Sequence, residues 1–210
     1  MSSETTSTSI EGPAGRLETQ LDQPSGRSHI CAVLCHPHPQ YGGSMHDMVL
    51  GVLAGVLLEA CVTTLRFNYR GVGASDGHYD GGVGEVDDLL SVVEWLRTNH
   101  RDKFDQVWLG GYSFGAGVAW QALEHLSALD ASPDRVLLIS PPLAVTRFRH
   151  QDLDCPVDAF AGDRDEFVDQ MQLANWDGVR GHVIAGTDHF FMGAYEDLSA
   201  HIRDTLATRR

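Results

Sequence analysis

Short apolar runs alternate with helix-length segments along most of this chain, and that alternation narrows the fold to one class. Ile30–Cys35 (ICAVLC) is continuously apolar and too short for a typical helix. Residues 45–60 follow, apolar, free of proline and long enough for a helix. Residues 62–68 (VTTLRFN) are rich in β-branched side chains and read as a strand. Over residues 85–97, Val86, Leu89, Leu90, Val93 and Leu96 recur at helical spacing, so one face of that segment meets a core. Next come a strand at 106–110, a helix at 116–129 and a strand at 135–140, which Pro141 and Pro142 stop. Strands at 156–161 and 182–185 and a closing helix at 194–208 complete the series. Strands that are apolar on both faces, with helices between them, predict an α/β fold. Its mostly parallel central sheet should be flanked by helices on both sides.

In such a sheet ligands bind beyond the carboxyl ends of the strands, so the residues just after each strand carry the chemistry. The pattern Gly-x-Ser-x-Gly occurs twice, at Gly73-Ala74-Ser75-Asp76-Gly77 and at Gly111-Tyr112-Ser113-Phe114-Gly115. A nucleophilic serine of this kind sits on a sharp turn between a strand and a helix, where flanking glycines make room. Only the second match has that context, with VWLG before it and AGVAWQALEHL after it. Ser113 is therefore the expected nucleophile, and the glycine-rich loop around Ser75 is expected to support the site. The Phe114 amide, at a helix N-terminus beside the nucleophile, is placed to stabilise an oxyanion.

The acid and base should follow at later strand exits, in the order Ser, Asp, His. Gly162-Asp163-Arg164-Asp165-Glu166 follows one strand and Gly186-Thr187-Asp188-His189-Phe190 the next. Asp165 is the expected acid and His189 the expected base, whereas Asp163 and Asp188 read as turn residues. After the first strong strand comes His36-Pro37-His38-Pro39-Gln40-Tyr41-Gly42-Gly43, where a second oxyanion donor should lie. Pro39 has no N–H, so the His38 amide comes first and those of Gln40 and Tyr41 next. A metal site from His36, His38 and His46 or Asp47 is possible by spacing, but the serine route already accounts for the segment. No metal and no cofactor is expected. Tyr41 and Phe190 are candidate substrate contacts, and Tyr69, Phe114 and Phe191 are further aromatics that either line the pocket or pack in the core.

Taken together, HPHPQYGG, FNYRGVGASDG, GYSFG, GDRDEFV and GTDHFF resemble the small bacterial α/β-hydrolases that are carboxylesterase- and dienelactone-hydrolase-like. The resemblance runs over about residues 15–208. It implies the α/β-hydrolase fold, with Ser113, Asp165 and His189 as triad and the Phe114 and His38 amides as oxyanion hole. Dienelactone hydrolases proper use Cys where this chain has Ser113. Relatives with a lid insert a cap after the strand corresponding to RVLLIS, but only residues 141–155 separate Ser140 from Pro156 here. That is too few for a cap domain.

The chain has 210 residues, enough for one domain, and the organisation expected is a disordered polar tail over residues 1–15 and a single hydrolase domain over 16–210. A formal net charge of -14 argues against nucleic acid or an anionic membrane as partner. The N-terminus lacks the basic and apolar regions of a secretory signal, and no apolar run is long enough to span a bilayer, so a cytoplasmic location is expected. Cys31, Cys35, Cys61 and Cys155 read as buried reduced thiols. The function expected is hydrolysis of small acyl esters, with a small-molecule ester as the partner. A thioesterase, peptidase or acyltransferase would use the same triad. A non-catalytic binding protein on this fold is the reading from another class, and the presence of all three triad residues speaks against it.

Overall fold

The computed structural model describes residues 4–208. Eight strands form one sheet: β1 (Glu4–Gly12), β2 (Gly15–Gln23), β3 (Ile30–Cys35), β4 (Thr63–Phe67), β5 (Gln106–Tyr112), β6 (Arg135–Ile139), β7 (Val157–Gly162) and β8 (Val179–Ile184). Their order across the sheet is β1-β2-β4-β3-β5-β6-β7-β8. From β4 to β8 every neighbour is parallel, while β1 on β2 and β2 on β4 are antiparallel. The helices are α1 (Met48–Glu59), α2 (Val83–Asn99), α3 (Phe114–Ala128), a short α4 (Gln170–Ala174) and α5 (Tyr195–Ala207).

Strand alternation sorts the core into two layers. Cys31, Val33, Leu109, Val136, Leu138 and Ala159 meet α2 and α3 on one face. Ala32, Leu34, Leu137, Ile139 and Phe160 meet α1 and α5 on the other. A central strand buried on both faces must be apolar at odd and even positions alike, which is why these strands are unbroken apolar runs. Among the described residues no lid is present: residues 140–156 contain no helix or strand, and Phe148 from this segment packs on Trp120 of α3. Among the described residues no helix is long and apolar enough to cross a membrane.

Two expectations need correction. Residues 4–15 are not a disordered tail: residues 4–12 form β1, and Gly12 pairs with Gly15 to close a hairpin onto β2. Residues 1–3 lie outside the described residues, as do 209–210 at the other end. Pairing of β1 with β2 satisfies the β1 backbone, and the β-branched Thr5, Thr6 and Thr8 suit an extended chain. As an edge strand it buries only Ile10, so it shows no apolar period. The cysteines are all free thiols, but only Cys31 and Cys35 are buried. Cys155 is half-buried, and Cys61 is exposed at the turn after α1.

Candidate active site

Ser113 is the single residue between β5 and α3. Its backbone is left-handed, with φ 55° and ψ -118°, a conformation that non-glycine residues rarely hold and that clusters at functional sites. The crowding around it explains the flanking glycines. A Cβ on Gly111 would overlap the Gly115 carbonyl, and one on Gly115 would overlap the carbonyls of Cys35 and His36. The turn thus lifts the Ser113 side chain above the carboxyl edge of the sheet. It also starts a helix whose first N–H groups have no intrahelical acceptor.

Asp165 follows β7 and His189 follows β8, neighbouring parallel strands that bring the two exits together. Ser113 Oγ lies 2.8 Å from His189 Nε2. His189 Nδ1 lies 2.9 Å from each carboxylate oxygen of Asp165. A carboxylate only accepts, so Nδ1–H donates to Asp165 and Nε2 is left to accept from the Ser113 hydroxyl. Asp165 and His189 are buried, 5% and 7% exposed. Burial pushes the Asp165 carboxyl up, but the hydrogen bond and charge of His189, with the Phe167 N–H at 2.9 Å, outweigh it and hold the carboxyl below its ordinary value. The Tyr112 hydroxyl donates to the His189 carbonyl at 3.0 Å and fixes the backbone that carries the imidazole.

The other candidates take structural places. Asp163 accepts the Gly186 N–H at 2.7 Å and Asp188 accepts the Phe190 N–H at 3.0 Å, as turn residues do. Ser75 is buried away from the triad, where its hydroxyl accepts the Glu18 N–H at 2.9 Å and donates to the Asn68 carbonyl at 2.8 Å.

His36 is fully buried. Its Nδ1–H donates to the Pro37 carbonyl at 2.7 Å, its Nε2 accepts the Tyr69 N–H at 3.2 Å, and burial drives its pKa down to about 4. A neutral His36 therefore ties the exit of β3 to the exit of β4. Beyond it, residues 39–41 form one 3-10 turn. The Gln40 N–H donates to His38 Nδ1 at 3.2 Å, and the Tyr41 N–H to the His38 carbonyl at 3.1 Å. Two of the three candidate amides are thereby occupied, whereas the His38 N–H has no acceptor among the described residues. No group of three His, Cys, Asp or Glu residues capable of holding a metal occurs among the described residues.

Tyr41 and Phe190 are exposed, 88% and 57%, while Tyr69 and Phe191 are wholly buried and pack in the core. Phe114 is half-buried. Two aromatics that sequence reasoning passed over lie beside these residues. Phe167 lies 4.7 Å from the His189 ring, and Tyr79 lies 6.0 Å from Phe114 between ring centroids. The signal for Phe167 was its place two residues after the expected acid. The signal for Tyr79 was a lone aromatic in a glycine-rich loop already suspected of supporting the site.

Fold and site together define an α/β serine hydrolase without a lid, and comparison with known proteins places the chain more narrowly. Residues 16–133 match the profile of the X-Pro dipeptidyl-peptidase (S15) family, over more than half of the chain, and the chain belongs to that family among the small lidless α/β serine hydrolases. It is 34% identical to the uncharacterized protein RP471 of Rickettsia prowazekii, over 95% of this chain and 87% of that one. It is similar in structure to an alpha-beta serine hydrolase homologue from Coxiella burnetii, with 34% identity, a TM-score of 0.86 and 96% and 97% of the two chains covered. It is equally similar to XC6422 of Xanthomonas campestris, described as a serine hydrolase without a lid, with 33% identity, a TM-score of 0.86 and 99% and 96% coverage. The S15 match takes in Ser113 and the His36–Tyr41 turn but ends before Asp165 and His189.

Proposed function

We propose that this chain hydrolyses small carboxylic esters through an acyl-enzyme on Ser113. The observation that carries the reading is the continuous hydrogen-bonded line from Ser113 through His189 to Asp165, starting at a strained turn. Ser113 Oγ attacks the ester carbonyl while its proton passes to His189 Nε2, and Asp165 stabilises the imidazolium. The carbonyl oxygen becomes an oxyanion held by the amides of Phe114, at a helix N-terminus, and of His38, whose N–H has no acceptor among the described residues. As the carbon–oxygen bond to the alcohol breaks, His189 returns the proton to the leaving oxygen. Water then repeats the sequence on the acyl-enzyme and releases the acid, with Ser113 restored. The reaction calls for neither metal nor cofactor.

A fluorophosphonate reagent tests the reading, because it forms a stable bond only with an activated serine. Labelling should occur at Ser113, and Ser113→Ala should abolish it and lower kcat on methyl butyrate by roughly 10³-fold or more with the fold intact by circular dichroism. Labelling at another serine, or full activity in Ser113→Ala, would defeat the assignment. The S15 match favours a second reading, in which the same acyl-enzyme forms from an amide. Assaying an aminoacyl-prolyl anilide beside the ester decides between the two by the ratio of kcat/KM values.

A further inference from the structure

The triad divides its surroundings into two sides. His189 must deliver a proton to the leaving oxygen, so the alcohol departs on the His189 side. That side is lined by Phe167 and Phe190, whose ring centroids lie 4.7 and 5.5 Å from the imidazole. The acyl group must take another side, and His38 and Phe114, whose amides are the proposed oxyanion donors, bound one. There the His38 ring lies 4.8 Å from Phe114, 5.1 Å from Tyr79 and 4.8 Å from Tyr41 between centroids, all tilted. His38, Tyr79 and Phe114 are each half-buried, so each keeps part of its surface exposed.

This rim is held rigidly. Tyr79 belongs to the loop between β4 and α2, and one end of the loop is clamped by a buried ion pair, Arg70 to Asp88 at 2.7 Å. At the other end Glu85 accepts the N–H groups of Asp80 and Gly82 at 2.9 and 2.7 Å. Gly82 lies beside the Phe114 ring: a Cβ there would come within 3.5 Å of it.

The hydrogen bonds also fix where the protons lie. His38 Nδ1 accepts the Gln40 N–H at 3.2 Å, so the neutral ring carries its hydrogen on Nε2. Burial lowers the pKa of His38, against a smaller upward pull from Glu85, which keeps the ring neutral. Nε2–H then donates to the Tyr79 hydroxyl oxygen at 3.2 Å. The Tyr79 O–H has no other partner among the described residues and is left as a donor.

We propose that His38, Tyr79 and Phe114 form an acyl subsite for a planar, uncharged group, aromatic or conjugated, with the Tyr79 hydroxyl donating to a polar substituent on it. The subsite rests on the acyl-enzyme reading above. Stacked and edge-on aromatic contacts reward a flat π-system over a saturated ring of the same size. Loss of one neutral donor costs affinity for a substrate that carries the matching acceptor.

The test compares kcat/KM on four methyl esters: cinnamate, 4-methoxycinnamate, 3-cyclohexylpropanoate and butyrate. Wild type should favour cinnamate over cyclohexylpropanoate by about 10-fold. Tyr79→Ala should collapse that ratio toward one. Tyr79→Phe keeps the ring; it should retain the ratio and lose about 3- to 10-fold on the methoxy ester relative to cinnamate. If Tyr79→Ala fails to fold, the Phe variant and the wild-type ratio still decide. Butyrate hydrolysis without a planar preference, or a Tyr79→Ala enzyme with the wild-type ratio, overturns the subsite and leaves the acyl-enzyme standing. A Tyr79 effect on benzyl against cyclohexylmethyl acetate in place of the cinnamate ratio overturns the assignment to the acyl side. No hydrolysis of any ester together with no label on Ser113 overturns the acyl-enzyme reading itself.

Discussion

Asp163 and Asp165 share one turn, and their different partners assign different work to them. Asp165 meets His189, while Asp163 accepts a backbone N–H across the turn. Asp165→Asn should lower kcat by roughly 10⁴-fold, because an amide favours the wrong His189 tautomer. Asp163→Asn should reduce stability more than rate. Measuring kcat and the urea midpoint for both variants checks this, and a larger kcat loss at Asp163 would reverse the assignment. Ser75→Ala should likewise leave most of kcat in place but cost about 1–3 kcal/mol of stability, since the Glu18 N–H loses its buried acceptor. The places of these residues could be read from the chain because side chains at strand exits sit beside recognisable strand endings. Tyr79 could not, because its meaning depends on a long loop bringing it against His38, a contact with no periodic trace in the sequence.

The elements divide in the same way. The strands from β3 to β7 and helices α1, α2, α3 and α5 were legible, with ends shifted by a few residues, because each presents a continuous or periodic apolar surface. The hairpin of β1 and β2 was not: β1 is exposed along most of its length and reads as a disordered polar tail. What joins elements laterally was also hidden. Asp158 of β7 receives Arg135 of β6 at 2.9 Å and lies 3.0 Å from His182 of β8, and Arg66 of β4 reaches Asp22 of β2 at 2.8 Å. Burial raises both carboxyls, but the hydrogen bonds of His182 and Arg135 to Asp158, and of Thr5 and Arg66 to Asp22, outweigh it and hold both below their ordinary values. A carboxyl depressed in the folded state adds stability above its unfolded-state pKa of about 3.9. That stability is lost as pH falls through the folded value. Unfolding free energy should therefore drop below about pH 4, and Asp158→Asn should flatten that drop while lowering stability at neutral pH. Urea titrations at several pH values give the slope; an unchanged slope in the variant would mean that Asp158 is not a source of it.

At the scale of the whole molecule, the open carboxyl edge of the sheet decides what the site can grip. Residues 140–156, where a cap would be inserted, form an irregular segment whose Phe148 packs down on α3. Tyr41, Phe167 and Phe190 are exposed to solvent. A lidded lipase gains activity when an apolar surface opens its cover, and this molecule has no such cover to open. Its rate on a short ester should therefore follow ordinary saturation through the solubility limit, with no jump when substrate separates into its own phase. Chain length should act through burial alone. A short or flat acyl group would be covered by the proposed rim of His38, Tyr79 and Phe114, but each further CH₂ that stays in water forgoes up to about 0.8 kcal/mol. kcat/KM should thus stop rising beyond short acyl chains. Rates for butyrate, octanoate and palmitate esters, each followed through the solubility limit, measure both effects. A sharp activation at the limit, or a preference for palmitate, would require a segment that closes over Ser113 and would overturn the open-site reading.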